Sequence, residues 1–158
     1  MVLLTGCSGK PGQQNDAVHD EEGMSRIKLA DLNGQPVSPG QYKGKTVFIN
    51  FWATWCKPCL QEMPSIENAQ AKLYDQHVIF LAASNEEPEQ IEEFMMKHEY
   101  HFHYVRLENM EELNIQALPT TYIFNPEGKL KFAETGYRRW DDPENIELIT
   151  RIINDHEK

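Results

Sequence analysis

At 158 residues the chain is long enough for one domain with a sizeable core. Its 15 basic residues lie scattered among 25 acidic ones, for a formal net charge of −10; no basic stripe results, which argues against nucleic-acid binding. Hydrophobic residues at 40% and charged residues at 25% are those of an ordinary globular protein, and no apolar run reaches the roughly 18 residues that a membrane-spanning helix needs.

Three cysteines are an odd number: Cys56 and Cys59 form an evident pair, and Cys7 is left over. The surroundings of Cys7, Leu4-Thr5-Gly6-Cys7, resemble the lipobox of bacterial lipoproteins, in which the cysteine receives lipid and becomes the mature N-terminus. Only six residues precede Cys7, so the basic part and most of the apolar part of a signal peptide are missing, and the stretch reads as a truncated lipoprotein signal. Residues 8–24 have almost nothing to bury and cannot offset their ordering entropy, which predicts a disordered tether. As a flexible coil it would reach on the order of 20–25 Å. The expected organisation is therefore signal and tether over 1–24 and one folded domain over 25–158.

The folded part is expected from about Arg26. Ile27-Lys28-Leu29 alternates, and Asn33-Gly34 is a hairpin turn signal before Gln35-Pro36-Val37. The run Thr46–Phe51 is apolar on both faces, as in a central strand covered by helices on each side. From Cys56 the pattern turns helical, with Leu60, Met63, Ile66 and Leu73 on one face and a kink expected at Pro64, which lacks the N–H for the Leu60 carbonyl. His77–Ala83 reads as the next buried strand, Ser84–Pro88 as turn and cap, and Pro88–His98 as a helix burying Ile91, Phe94 and Met95. Phe102–Leu107 reads as a short strand and Met110–Asn114 as a brief helix or turn. Pro119–Phe124 and Lys129–Glu134 are strands joined by the turn Asn125-Pro126-Glu127-Gly128. A last helix is capped by Asp142, with Pro143 first and Ile146, Ile149, Ile152 and Ile153 inward. The pattern as a whole predicts one α/β domain with a mixed sheet.

The segment Trp55-Cys56-Lys57-Pro58-Cys59 closes the apolar run and opens the first long helix. A helix N-terminus carries unpaired N–H groups and partial positive charge, which favour a thiolate over a thiol. Cys-X-X-Cys has a zinc reading and a redox reading. A structural zinc needs four ligands, and no second cysteine pair exists, although His98, His101 and His103 could offer imidazoles. The strand-to-helix junction favours the redox reading.

The chain also resembles the thioredoxin-like proteins of the TlpA/ResA group, on Phe51-Trp52-Ala53-Thr54-Trp55-Cys56-Lys57-Pro58-Cys59 with Glu62 and Pro64, on Leu118-Pro119-Thr120-Thr121-Tyr122, and on Gly136. The resemblance runs from about Arg26 to the C-terminus. It implies a thioredoxin-like fold: a central mixed β-sheet flanked by helices, with an N-terminal β-hairpin and the family's inserted helix and strand. It implies that Cys56, the more exposed thiol, attacks a substrate disulfide and that Cys59 resolves the mixed disulfide. Pro58 would fix the backbone between them, Lys57 would add a cation favouring the thiolate, and Trp55 would pack beside the sulfurs and shield them. Pro119, with a cis peptide bond, would present neighbouring backbone groups, Thr120 beside it, to a substrate strand. No cofactor and no metal are implied.

Two departures from ordinary thioredoxins narrow the reading. The buried aspartate of that family falls on Asn50, whose amide cannot move a proton, while Glu62, on the helical face of Cys59, matches the acidic residue of the TlpA/ResA group. Glu62 is expected to help deprotonate Cys59 or to recognise substrate. The resulting expectation is a protein-disulfide oxidoreductase of the bacterial cell envelope, held on the extracytoplasmic side by a lipid at Cys7. It would draw electrons from a membrane-bound donor and act as a reductant toward oxidised envelope proteins, apocytochrome c among them. The rivals are a thiol peroxidase on the same fold, which would favour a Pro-Thr-X-X-Cys setting absent at Cys56, and a binding module with a structural disulfide.

Overall fold

The structure, a computed structural model, describes residues 23–156. The lipobox at Cys7 and most of the expected tether lie outside the described residues. Seven strands form one mixed sheet: β1 (Leu29–Ala30), β2 (Pro36–Val37), β3 (Thr46–Phe51), β4 (Val78–Ser84), β5 (His103–Leu107), β6 (Thr120–Phe124) and β7 (Leu130–Thr135). Their order across the sheet is β2-β1-β5-β4-β3-β6-β7. The pairs β3–β4 and β4–β5 are parallel, and β1–β2, β1–β5, β3–β6 and β6–β7 are antiparallel. The helices are α1 (Lys57–Lys72), α2 (Pro88–Lys97) and α3 (Pro143–Ile153). The mixed sheet, its N-terminal hairpin and the α2–β5 segment follow the expected plan.

Strand β3 is central because all six of its residues, Thr46 to Phe51, are buried. Alternation sorts its side chains to two cores. Phe48 joins Trp52, Cys56, Cys59 and the inward residues of all three helices, whereas Val47, Ile49 and Phe51 join Leu29, Leu81, Val105 and Phe124. The second core is closed by Met24, Ile27 and Tyr42 from the N-terminal segment and by Met110, Leu113 and Ile115, rather than by the inward residues of α1, α2 or α3. The central strand is thus covered by the three α-helices on one face and by short 3-10 helices and turns on the other. The reason is that the 24–42 and 110–115 segments supply apolar residues in stretches too short or too rich in turn-formers for an α-helix.

Local signals account for the element ends. Gly34 turns the β1–β2 hairpin at φ 82°, where a side chain would be strained. In α2, the Gln90 side chain accepts from the Glu87 N–H at 3.2 Å, a reciprocal cap one residue before Pro88. Asp142 is the N-cap of α3 and Pro143 its first residue, as the sequence predicts. Helix α1 continues past Pro64 to Lys72. One inward residue is corrected: Met95 is 39% exposed, because the apolar stripe of α2 is only as wide as Ile91 and Phe94, both buried.

Candidate active site

The carboxyl end of β3 delivers the dithiol. The ladder continues one step past the strand, with Trp52 N–H donating to the Ala83 carbonyl at 3.1 Å, after which the chain turns through Ala53–Trp55. Cys56 is the N-cap of α1, with extended backbone dihedrals, and its carbonyl accepts from the Leu60 N–H at 3.1 Å. Its Sγ accepts from the Cys59 N–H at 3.3 Å, the position a capping oxygen takes in other helices. Cys56 and Cys59 are joined as a disulfide with Cα atoms 5.3 Å apart. Cys56 is the more accessible of the two, at 4% against 0%.

The loop before Cys56 is held by a carboxylate that sequence reasoning assigned only to turn and cap. Glu86, almost buried, accepts from Thr54 N–H at 2.9 Å and Thr54 Oγ1–H at 2.6 Å, and from Ser84 Oγ–H at 2.9 Å. The signal that could have found it is the polar cluster Ser84-Asn85-Glu86 directly after an apolar strand, since the end of β4 must lie beside the end of its parallel neighbour β3.

On the other side of β3, Phe51 pairs with Thr120, so Pro119 lies one residue beyond that pair, beside the start of the dithiol loop. The Leu118–Pro119 bond is cis. Thr120 donates its hydroxyl to the Ala117 carbonyl at 2.7 Å, and Gly136 N–H donates to the Pro119 carbonyl at 2.8 Å, which ties the strand after the turn to the proline. Lys57 and Pro58 are exposed on the first turn of α1. Trp55 is 75% exposed on this loop, whereas Trp52 is the indole that enters the core, against Phe94 and Tyr104.

Glu62 is fully buried, on the same face of α1 as Cys59. Burial pushes its carboxyl up to about 7, against the pull of a hydrogen bond from Trp140, the Arg138 backbone and the Arg138 charge, with Glu134 adding to the rise. The Trp140 indole N–H donates to Oε1, and Oε2 has no protein partner among the described residues. Trp140 is itself buried, edge-on to Phe48 and Phe132. Sequence reasoning passed over it; a tryptophan just before a helix cap, needing a partner for its N–H, was the available signal. Asn50, buried near the carboxyl end of β3, donates through Nδ2 to Thr121 Oγ1 at 3.1 Å.

The three histidines do not converge. His101 Nδ1 meets the Glu67 carboxylate, His98 Nδ1 faces the Phe94 carbonyl at 3.0 Å, and His103 is exposed on β5. Among the described residues no group of three or more metal-ligating side chains could hold an ion.

A disulfide across the first turn of a helix, at the carboxyl end of a central strand and beside a cis-proline, defines a dithiol protein of thioredoxin type. The family model described as Redoxin matches residues 13–148, so the chain belongs to that family; the match begins inside the expected tether. The thiol-disulfide oxidoreductase ResA of Bacillus subtilis (strain 168) is 36% identical over 125 residues, covering 77% of this chain and 70% of that protein. The thioredoxin-like protein YneN of the same strain is 34% identical over 147 residues, 86% of each chain. Among solved structures, a thiol:disulfide interchange protein from a Bacteroides species superposes with a TM-score of 0.68 at 23% identity, over 84% of this chain and 88% of that one. A thioredoxin family protein from Chlorobium tepidum TLS gives 0.66 at 22% identity, over 80% and 93%. These structures share the fold, and the curated relatives place the chain among the thiol–disulfide oxidoreductases.

Proposed function

We propose that Cys56 and Cys59 are the redox couple of this oxidoreductase, and that it serves as a reductant of oxidised proteins in the bacterial cell envelope. The observation that carries the reading is Cys56 as the N-cap of α1, its sulfur accepting the Cys59 N–H. In the reduced protein the same N–H and the helix N-terminus would stabilise a thiolate at Cys56. That thiolate attacks one sulfur of a substrate disulfide; the substrate bond breaks, and its other sulfur leaves as a thiolate. Cys59 then attacks Cys56 Sγ, the bond to the substrate breaks, and the Cys56–Cys59 disulfide remains. Two electrons pass to the substrate, and the two dithiol protons end on substrate thiols or solvent. Glu62 takes the proton from Cys59. Trp55, exposed beside Cys56, and the backbone around Pro119 and Thr120 receive the substrate, while Lys57 and Pro58 shape the turn between the thiols.

The envelope reading rests on Leu4-Thr5-Gly6-Cys7 as a lipid-acceptor site and on relatives named ResA. No helix of the described residues is long and apolar enough to cross a membrane; the attachment in this reading is a lipid at Cys7. A membrane-bound donor would re-reduce the disulfide, and apocytochrome c is the leading substrate class. Titration of the purified protein against glutathione and dithiothreitol couples tests the central claim. A redox-active pair gives a potential above about −300 mV, whereas a pair that stays oxidised below that value is a structural disulfide. Mass spectrometry of the protein from a bacterial membrane fraction shows a lipid adduct on the Cys7 peptide or rejects the anchor.

A further inference from the structure

The contacts that fix the buried carboxylate come from outside the two motifs. The segment between β7 and α3 is tied to α1 at two points, Trp140 Nε1–H to Glu62 Oε1 and Trp140 N–H to Ser65 Oγ at 3.1 Å, and within α1 Ser65 Oγ–H donates to the Glu62 carbonyl at 2.8 Å. Arg138 braces the indole, with its guanidinium carbon 5.5 Å from the Trp140 ring centre and 5.1 Å from that of Phe132. Its nitrogens donate to Asn145 Oδ1 and Glu134 Oε2. The indole is thus held from its backbone, its ring face and its N–H, and one carboxylate oxygen is engaged while Oε2 is left without a protein partner among the described residues.

We propose that Trp140 is a positioning residue for disulfide exchange: by engaging Glu62 Oε1 it holds the carboxylate in one orientation and reserves Oε2 for the proton of Cys59. This rests on the reading of Glu62 as the proton acceptor in the resolving step. In that step Cys59 Sγ bonds to Cys56 Sγ, the bond from Cys56 to the substrate sulfur breaks, that sulfur leaves with the electron pair, and the Cys59 proton passes to Glu62. A carboxylate free to rotate would spend its basicity on whichever donor it met. The charged and titratable groups around Glu62 are Arg138 and Glu134 on the β7 side, and Cys59 and Cys56 on the α1 side.

The test uses the full chain and oxidised glutathione as the disulfide. Stopped-flow kinetics separate formation of the glutathione mixed disulfide from its resolution by Cys59, and both are followed against pH in wild type, Trp140→Phe and Glu62→Gln. Wild type should show an inflection in the resolving step near 7. Trp140→Phe keeps the ring packing and the backbone bond to Ser65 but loses the donor. It should move the inflection upward and slow resolution roughly ten-fold at neutral pH, leaving mixed-disulfide formation unchanged. Glu62→Gln should abolish the inflection. If Glu62→Gln abolishes it while Trp140→Phe matches wild type, Trp140 only packs and the inference falls; if Glu62→Gln changes nothing, the reading of Glu62 falls first. Should Trp140→Phe not fold, the indole N–H resonance of Trp140 decides in unmutated protein. It should titrate with the same midpoint as the resolving step and stop titrating in Glu62→Gln; an indole resonance indifferent to pH overturns the proposal.

Discussion

Burial raises the Glu62 carboxyl from 4.5 to about 7, so between those values the folded chain holds a proton that the unfolded chain has released. The sign follows by linkage: where the native state binds more protons, stability falls as pH rises. The contribution is fully present below about 4.5, is lost as pH climbs to about 7, and is constant above. At roughly 1.4 kcal/mol per tenfold, the cost of the ionised form at pH 8 is of order 3 kcal/mol. Glu62→Gln keeps an oxygen for the Trp140 N–H and has no charge to bury. Its urea unfolding free energy, with the disulfide intact, should match wild type near pH 4.5 and exceed it by up to about 3 kcal/mol at pH 8. A pH-independent difference would mean that Glu62 is ionised in the fold throughout.

Elements meet at the site through side chains that bind loops rather than helices or strands. Glu86 joins the end of β4 to the loop between β3 and α1 with three hydrogen bonds from Thr54 and Ser84. Hydrogen bonds to a charged group contribute about 1.5–3 kcal/mol each. Thr54→Val removes the hydroxyl donor and should lower the unfolding free energy by about that amount, whereas Thr54→Ser, which keeps both donors, should restore it; chemical denaturation of the three proteins checks both. The same contact marks where sequence reasoning stops. The helices, the hairpin turns and the dithiol were legible because each is a local signal: a period, a cap, a Gly at positive φ, a spaced cysteine pair. Glu62 was legible as a candidate because it matches the acidic residue of the TlpA/ResA group, with a three-residue spacing that places it on the face of Cys59. Its partner Trp140, 78 residues away, and the Thr54–Glu86 pair, 32 residues apart, were not, since they depend on which strands become neighbours. The two tryptophans that bracket the loop are a related case: only the packed structure decides that Trp52 is the one buried in the core.

For the molecule as a whole, the direction of electron flow is a statement about folding. The disulfide and dithiol forms, folded and unfolded, close a thermodynamic cycle, so a fold that is more stable oxidised than reduced must have a lower potential than its own unfolded chain. Each 1.4 kcal/mol of that difference corresponds to about 30 mV. Two effects compete here. Joining Cys56 to Cys59 restricts only a short loop, and loop-closure entropy gives about 2 kcal/mol in favour of the oxidised form. Reduction frees a Cys56 thiolate at the N-terminus of α1, where a single anion is worth about 0.3–1 kcal/mol, up to about 2 when partly buried. A fold that lowers the potential of its pair, as favours donation of electrons, needs the first effect to prevail. The expected result is that guanidinium unfolding of the protein pre-reduced with dithiothreitol has a lower midpoint than that of the oxidised protein, with the slope unchanged. A reduced form that outlasts the oxidised one would mean that the fold raises the potential of the pair, and would count against the reductant reading, because it would then be the dithiol that the helix N-terminus and its capped sulfur are built to hold.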